Sequence, residues 1–415
     1  MARKSDAPRV AIVGINYPPE RTGIAPYTGA LARGLVRRGC GVRVVTAHPH
    51  YPEWKVYPGY GQWRRREDDA GVDVRRLRHM VPRRPQGLPR LVSELSLGLH
   101  TVIAGWGRAD AVLLVSPALF SSALANVRAR LRRGSVPTTV WVQDLYGRGQ
   151  EETSGGGGPV AKVLRAVEGW LLRSATRVVV IHDRFKRAVV EDYGVDPERV
   201  AVVRNWTHLA PHAPIDRVAA REERGWGDET VVLHAGNMGV KQGLEHVLSA
   251  ARDAQERGLP LRFVLLGDGG ERPRLERESA GLANVDFLAP LDDDGFRGAL
   301  AAADVLLVHE APGVSEMAVP SKLTSYFDAG RPVLAATDPG GVTAEEVRTA
   351  DAGTVVASGA PAALADAALA LAADAARAEA LGANGRAYRE AVLSEDAALD
   401  AFARVLGVSE APVRS

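Results

Sequence analysis

Short, nearly continuous apolar runs alternate with amphipathic stretches along the chain, and this alternation predicts a repeating β-α order. Residues 9–15 form the first apolar run, of the kind a parallel sheet needs when helices cover both its faces. Residues 27–38 follow as a helix with Leu31 and Leu35 on its inner side and Gly39 as its stop. Residues 42–46 make the second strand, and this β-α-β opening predicts a doubly wound sheet. Strands are expected again at 111–115, 139–143, 177–181 and 200–203, with helices at 90–106, 121–131, 160–173 and 184–193. Periodicity is lost over 210–217 and then resumes. The second series has strands at 231–234, 262–266, 285–288, 304–309 and 332–336, and helices from 241 onward and at 273–280, 292–302 and 323–329. The Ala-rich stretch 360–380 predicts helices, and 385–406 a last one.

A chain of 415 residues exceeds what one core usually supports. The two series therefore predict two α/β domains. The expected division is an N-terminal domain over 1–208, a linker over 209–225, a second domain over 226–384, and a C-terminal helix in 385–415 that packs back on the first domain. Ligands of such sheets bind beyond the carboxyl ends of the strands, which places the expected site in a cleft between two facing domains.

Charge sharpens this division. Residues 1–210 hold 33 Lys+Arg against 18 Asp+Glu, and residues 211–415 hold 19 against 32, so a net charge of +2 conceals halves of +15 and −13. The basic half, with Arg64 to Arg66, Arg75, Arg76, Arg83, Arg84, Arg128, Arg130, Arg132 and Arg133, suits an anionic acceptor, anionic lipid headgroups or nucleic acid, or simply attraction between the halves. The arginine runs lack the interleaved aromatic residues of a single-strand groove, so no nucleic acid is expected. One cysteine, Cys40, excludes a disulfide framework and a cysteine metal site. There is no apolar leader at the N-terminus and no run of about 18 apolar residues, so a cytoplasmic protein is expected, peripheral at most on the inner face of a membrane.

The most suggestive chemistry lies in Val231-Val-Leu-His-Ala-Gly-Asn-Met-Gly-Val-Lys-Gln-Gly-Leu-Glu245. A small-residue turn between a strand and a helix lets a phosphate approach the backbone N–H groups, and Lys241 in the first helical turn can reach the same phosphate. Only Gly14 ends the first strand, and the Gly-x-Gly-x-x-Gly fingerprint is missing, which counts against a dinucleotide enzyme. The loop His48-Pro-His-Tyr-Pro-Glu-Trp-Lys55 offers Tyr51 and Trp54 for sugar stacking and Glu53 for hydroxyl contacts. Asp144 and His182 each follow a strand and are candidate general bases. Asp292 to Asp294 sit at a helix start, where acidic residues act as caps, so no metal is expected there.

Six segments together resemble the family 4 glycosyltransferases, in their colanic-acid and exopolysaccharide-type subgroup. They are Asn16-Tyr-Pro-Pro-Glu-Arg-Thr-Gly-Ile24, His50-Tyr-Pro-Glu-Trp-Lys55, Val142-Gln-Asp-Leu145, Gly236-Asn-Met-Gly-Val-Lys-Gln-Gly243, Leu266-Gly-Asp-Gly269 and Pro320-Ser-Lys-Leu-Thr-Ser-Tyr-Phe-Asp-Ala-Gly-Arg-Pro-Val333. The resemblance spans nearly the whole chain. It implies the GT-B fold of two Rossmann-like domains and transfer of a sugar from a nucleotide-diphosphate donor to a hydroxyl with retention of configuration, without a metal or other cofactor. A UDP- or GDP-linked donor is expected, and a sugar, lipid-linked or small-molecule acceptor.

The resemblance also implies roles. Gly23 lets the backbone approach the donor diphosphate, and Glu20 lies beside the acceptor. Gly236, Asn237, Gly239 and Lys241 form the diphosphate turn; Gly267, Asp268 and Gly269 line the nucleotide side; Phe287, Leu288 and Pro290 hold the base. Lys322, with Ser321 and Leu323 beside it, is a second cation for phosphate. Many members carry two glutamates eight positions apart near this loop. Here Ser325 takes the second position, which binds ribose, and either Glu310 or Glu316 takes the first. Many also carry arginine where Asn237 stands, so the two lysines must balance the diphosphate with less help. An epimerase acting on the donor alone is the nearest rival of the same architecture, and a non-catalytic nucleotide- or nucleic-acid-binding protein is the rival from another class. A hydrolase is disfavoured, because no well-placed carboxylate pair is visible.

Overall fold

The computed structural model describes residues 7–20, 23–83, 87–131, 136–145, 159–206, 213, 215–313 and 322–408. The chain divides into two compact units, one of residues 1–205 with 395–415 and one of residues 206–394.

The first unit is built on β1 (Arg9–Val13), β2 (Gly41–Ala47), β3 (Arg64–Asp69), β4 (Val72–Leu77), β5 (Ala111–Val115), β6 (Thr138–Val142), β7 (Arg177–Val180) and β8 (Val200–Val202). They lie in the order β3-β4-β2-β1-β5-β6-β7-β8, all parallel except β3, which runs antiparallel to β4. The helices are α1 (Ala25–Arg37), α2 (Leu88–Ile103), α3 (Leu119–Leu131), α4 (Pro159–Ser174) and α5 (Asp183–Glu191). β1, β5 and β6 are apolar and almost wholly buried, as strands covered on both faces must be.

The second unit carries β9 (Thr230–Ala235), β10 (Leu261–Leu266), β11 (Val285–Leu288), β12 (Val305–His309), β13 (Val333–Thr337) and β14 (Gly353–Ala357) in the all-parallel order β11-β10-β9-β12-β13-β14. Its helices are α6 (Arg217–Glu223), α7 (Glu245–Glu256), α8 (Arg272–Glu278), α9 (Asp293–Ala302), α10 (Lys322–Ala329), α11 (Val342–Thr349), α12 (Pro361–Ala373) and α13 (Ala375–Val392). Two apolar clusters, centred on Phe327 and on Phe263, fill the two sides of this sheet. Both units are doubly wound, and both reverse their strand order beside their first strand.

Three boundaries differ from the sequence expectation. First, β3 and β4 form an edge hairpin where only arginine runs were read. β3 alternates exposed and half-buried charged side chains and so carries no hydrophobic signal, as suits a protected edge. Second, the expected linker 209–225 contains α6. Arg217 and Arg221 of α6 hold Asp304 of the second unit, Arg221 at 2.9 Å, so the helix belongs to that unit. Third, the expected single helix in 385–415 is two. α13 stays with the second unit, where Arg389 meets Asp328 at 3.2 Å and Gly385 leaves room for Phe327. Only α14 (Glu395–Leu406) belongs to the first unit. Leu399 presses on Gly34, Arg37 pairs with Glu395 at 2.6 Å, and Phe402 meets Trp141 edge-on at 4.7 Å.

Candidate functional site

In the second unit the strand order reverses between β9 and β12, the position where an open α/β sheet forms a crevice beyond its carboxyl ends. The turns that follow β9 and β10 meet there, backbone against backbone. Gly236 N–H donates to Leu266 O at 2.8 Å, Met238 N–H to Asp268 O at 2.8 Å, and Glu271 N–H to Met238 O at 3.0 Å. Gly267 has φ +136° and Gly269 φ +157°, and a Cβ on either would strike the backbone of Gly236 or Met238. Glycine is therefore required for this contact. Gln242 Oε1 closes the first turn by accepting from Gly239 N–H at 3.1 Å and from Asn237 Nδ2 at 3.3 Å.

Lys322 opens α10, and its Nζ lies 3.4 Å from Nε2 of His234. A Cβ placed on Gly236 would sit 3.6 Å from that ammonium, so the charge lies over the turn. One helical turn on, Tyr326 OH accepts from Ala235 N–H at 2.8 Å and donates to Leu307 O at 3.2 Å, which fixes α10 against β9 and β12. His234 is completely buried, and this burial, with Lys322 beside it, holds its pKa well below the ordinary value. The imidazole is thus neutral at pH 7 and accepts a hydrogen bond from Lys322 without adding charge. His309, at the end of β12, donates from Nδ1 to Gln242 O at 2.7 Å, and burial lowers its pKa to about 4.

Lys241 lies differently from expectation. Residues 240–242 form a 3-10 turn, and α7 begins only at Glu245, so Lys241 is exposed on a turn and not in the first turn of the helix. Gly243 adopts φ +56° against Ala311 and breaks the helix before it can start. Glu310 is also corrected as a catalytic candidate. It is buried and accepts from the hydroxyls of Thr337 and of Thr343, the latter at 2.5 Å, so its carboxylate joins β12 to the end of β13 and the start of α11. Glu316 and Ser321 lie outside the described residues. Leu323 is wholly buried in the core, which leaves only its backbone for a donor, whereas Ser325 is half-buried on α10. Asp268 accepts its neighbour Gly269's N–H at 2.8 Å.

Phe287 and Leu288 are half-buried at the end of β11, and Pro290 is exposed beyond them. Arg272, which the sequence reading did not single out, braces this edge. It lies 6.0 Å from the Phe287 ring centroid and donates to Gly267 O at 2.5 Å and Leu288 O at 3.0 Å. Asp292 caps α9 through Gly295 N–H at 2.9 Å, as an acidic residue at a helix start does.

The first unit holds a pocket of about 430 Å³ at the carboxyl ends of β1, β5 and β6. Gly23, Tyr51, Trp54 and Asp144 line it, as do Asn16, Tyr27, Arg90, Glu94, Gln143 and Asn205. Tyr51 and Trp54 meet edge-on at 6.3 Å, and Gly23 leaves room beneath the Tyr51 ring. Burial pushes the Asp144 carboxyl up from its ordinary pKa, against the opposing pull of Leu145 N–H and Arg90. Arg90 faces Glu94 at 3.5 Å, one turn apart on α2. Gln143 and Asn205 exchange two amide hydrogen bonds of 2.9 and 3.0 Å. These four residues come from one helix and two loops; helical spacing pairs Arg90 with Glu94, and only the fold brings them to Gln143 and Asn205.

Three acceptor candidates do not line this pocket. Glu20 is buried and fully occupied by backbone N–H groups and Asn16. Glu53 is exposed on its loop. His182 is buried as the N-cap of α5, where its Nδ1 accepts from Phe185 N–H at 3.1 Å. Among the described residues no group of three or more His, Cys, Asp or Glu is placed to hold a metal ion, and no helix is long and apolar enough to cross a membrane.

Residues 22–206 match the glycosyl transferase 4-like domain, and residues 229–374 match the glycosyl transferases group 1 domain. The chain is 32% identical over 338 residues to the putative colanic acid biosynthesis glycosyl transferase WcaI of Escherichia coli (strain K12), covering 78% of this chain and 81% of that protein. The chain belongs to glycosyltransferase family 4. It is also 31% identical over 186 residues to the probable glycosyltransferase WbjE of Pseudomonas aeruginosa, which covers 43% of this chain and 45% of that one. Among solved structures, sucrose-phosphate synthase from Thermosynechococcus elongatus matches with a TM-score of 0.65 and 18% identity, over 96% of this chain and 98% of that chain. HepE of Anabaena in complex with UDP-glucose matches with a TM-score of 0.62 and 18% identity, over 96% and 99%. This glycosyltransferase therefore has the GT-B fold, with two Rossmann-like domains.

Proposed function

We propose that the chain transfers a sugar from a nucleoside diphosphate to a hydroxyl acceptor with retention of anomeric configuration and without a divalent metal, in the assembly of a polysaccharide, glycolipid or glycosylated natural product. The observation that carries this reading is the pair of interlocked glycine turns with the Lys322 ammonium over Gly236. Close-packed turns without side chains and a cation fixed over them, at a strand-order reversal, suit a diphosphate.

As the bond from the anomeric carbon to the diphosphate oxygen breaks, charge accumulates on that oxygen. Lys322 and Lys241 neutralise it. The acceptor hydroxyl forms the new bond on the face the diphosphate leaves and passes its proton to the departing phosphate oxygen. Phe287, Leu288 and Pro290 hold the base of a UDP- or GDP-linked donor, Ser325 meets the ribose, and Tyr51 and Trp54 stack on the acceptor sugar. Asp144, whose carboxyl burial pushes up, lines the acceptor pocket and meets an acceptor hydroxyl there. The location proposed is cytoplasmic and peripheral, with an anionic membrane surface as partner of the basic first unit. The charge split between the halves supports it.

A thermal-shift panel of UDP, GDP, dTDP and ADP in the presence of a chelator tests the donor site. One nucleotide at about 100 times its dissociation constant should add roughly 2.7 kcal/mol of stability. No response to any of them would sink the reading, as would inversion of the anomeric proton signal in the product.

A further inference from the structure

α2 presents two opposite faces. Ser93, Glu94 and Leu97 point into the unit, with Arg90 and Glu94 on the pocket. On the far side, Val92, Leu95, Leu99 and Ile103 recur at three- and four-residue spacing and stand in solvent, Leu99 and Ile103 each 61% exposed. A surface helix normally turns polar residues outward. Here the outward stripe is aliphatic for the whole length of the helix.

The edge hairpin widens this patch and adds charge to it. Trp63, just before β3, is 58% exposed and meets His100 of α2 edge-on at 4.7 Å. Met80, also exposed, is tied to α2 by its N–H to Ser96 Oγ at 2.9 Å. At the end of α2, Ala104 and Gly105 border a second cavity of about 200 Å³ whose other walls include Arg64, Arg65, Arg66, Arg75 and Arg76. With Arg43, whose guanidinium reaches Gly105 O at 3.4 Å, Arg64, Arg66 and Arg75 share this face of the hairpin, while Arg65 and the buried Arg76 turn to its other face, over Tyr60. Two carboxylates answer them: Asp73 meets Arg43, Arg66 and Arg75, and Glu67 meets Arg65 and Arg76. Asp68 and Asp69 are turned to Gly71 N–H and to Arg33. The corner keeps an excess of positive charge beside an exposed aliphatic and aromatic stripe.

We infer that the outward face of α2, with Trp63 and the arginine-lined cavity at its C-terminal end, is the surface on which this protein lies on an anionic bilayer, the aliphatic stripe entering the acyl boundary and the arginines holding headgroup phosphates. Aliphatic side chains in water gain by entering the boundary layer, and an aromatic residue at its rim sits at headgroup level. Guanidinium groups pair with phosphate in a two-pronged geometry. This deepens the membrane reading proposed above and rests on it. It also has a consequence for the substrate. Because Arg90 and Glu94 on the opposite face line the pocket, a docked α2 holds that pocket about one helix diameter, ~10 Å, from the bilayer, within reach of a lipid-borne acceptor.

The test is cosedimentation of the full chain with vesicles of phosphatidylcholine alone and of phosphatidylcholine with about one-third phosphatidylglycerol. The wild type is expected to pellet with the anionic vesicles, and less so as salt rises. Arg64→Gln with Arg66→Gln should weaken binding by roughly fivefold for each arginine. Leu99→Glu with Ile103→Glu should remove it. Far-UV circular dichroism and the melting temperature, unchanged in both pairs, establish that the fold survives, and the nucleotide thermal shift reports the donor site separately. If the wild type binds and both variant pairs bind equally well, this surface is wrong while the membrane reading stands. If the wild type does not bind, both fall. A lipid-free dimer that Leu99→Glu with Ile103→Glu dissolves would make the face a contact between copies and would also overturn the inference.

Discussion

The Glu20 carboxylate accepts the backbone N–H of Tyr51 at 2.8 Å. The same oxygen takes His50 N–H at 2.8 Å, and the other takes Asn16 Nδ2 at 2.9 Å and Tyr17 N–H at 3.3 Å. One buried side chain thus joins the loop after β1 to the loop after β2, and it is this junction that sets Tyr51 and Trp54 on the wall of the pocket. Glu20 positions the site and does not face it. Glu20→Ala takes the acceptor from three backbone N–H groups, and the two buried ones, of His50 and Tyr17, cost about 1–3 kcal/mol each. The expected result is a loss of several kcal/mol in urea unfolding and a raised KM for the acceptor, with donor binding little changed. An unchanged urea midpoint would show that the two loops hold together without the carboxylate.

Lys322 is fixed from two directions, by Tyr326 through the helix and by His234 at its tip. A charge held in place stabilises a departing diphosphate without reorganising, and removal of such a group costs about 10²–10³ in turnover. Lys322→Ala is expected to lower kcat by that factor with little change in melting temperature. Lys241→Ala, on the exposed turn, is expected to abolish transfer and leave the protein folded. Steady-state kinetics with the donor identified by the nucleotide panel decides both. Near-wild-type turnover in either variant would remove that lysine from the proposed chemistry.

The two glycine turns give a sharper contrast within a single loop. At Gly267 the backbone has φ +136° and a Cβ would land on the Gly236 carbonyl, whereas Gly270, three residues on, faces open space. Gly267→Ala must push the two turns apart or twist β10, at a cost on the order of 1–3 kcal/mol for the strained backbone alone. It should lose nucleotide binding by calorimetry at least tenfold. Gly270→Ala should bind as the wild type does. Equal affinities in the two variants would mean that the interlocked turns are not the diphosphate site.

The alternation of apolar runs carried most of the fold, because buried parallel strands such as β5 and β12 are read directly as continuous hydrophobic segments. It failed where burial and hydrophobicity part company. β3 is charged on both faces, and β14 is only half-buried at the opposite kind of edge. The boundary between α13 and α14 was illegible because both helices are Ala-rich and the chain changes unit at Leu393 and Ser394 without a proline or glycine to mark it. In the site, the glycine turns and Lys322 follow from local motifs. The burial of Glu20, His182 and Glu310 was not legible for one reason: a polar residue near a strand end can face a ligand or bond within the fold, and only the fold decides. The far-side stripe of α2 was hidden because residues 90–106 read as an amphipathic helix, and the period alone does not say which side is covered.

Acid should find the histidines of the first unit. His79 packs against His50 at 4.7 Å between ring centroids, and burial, followed by the repulsion of His50, His48 and His100, lowers its pKa to about 3. In the unfolded chain the same group takes up a proton near pH 6.5. Between these values the unfolded state holds one proton more than the folded state, so stability falls as the pH is lowered through that window, by about 1.4 kcal/mol per pH unit for each such group. His309, at about 4, adds a second contribution from the other unit over a narrower range. His79→Leu keeps an apolar side chain in the same space and removes one titration. Urea midpoints measured from pH 7 to pH 4 should fall less steeply in the variant than in the wild type and converge with it in slope above pH 7. Parallel curves across the whole range would mean that His79 is protonated at little cost in the folded protein, and that the acid sensitivity belongs to the other buried histidines, His48, His234 and His309.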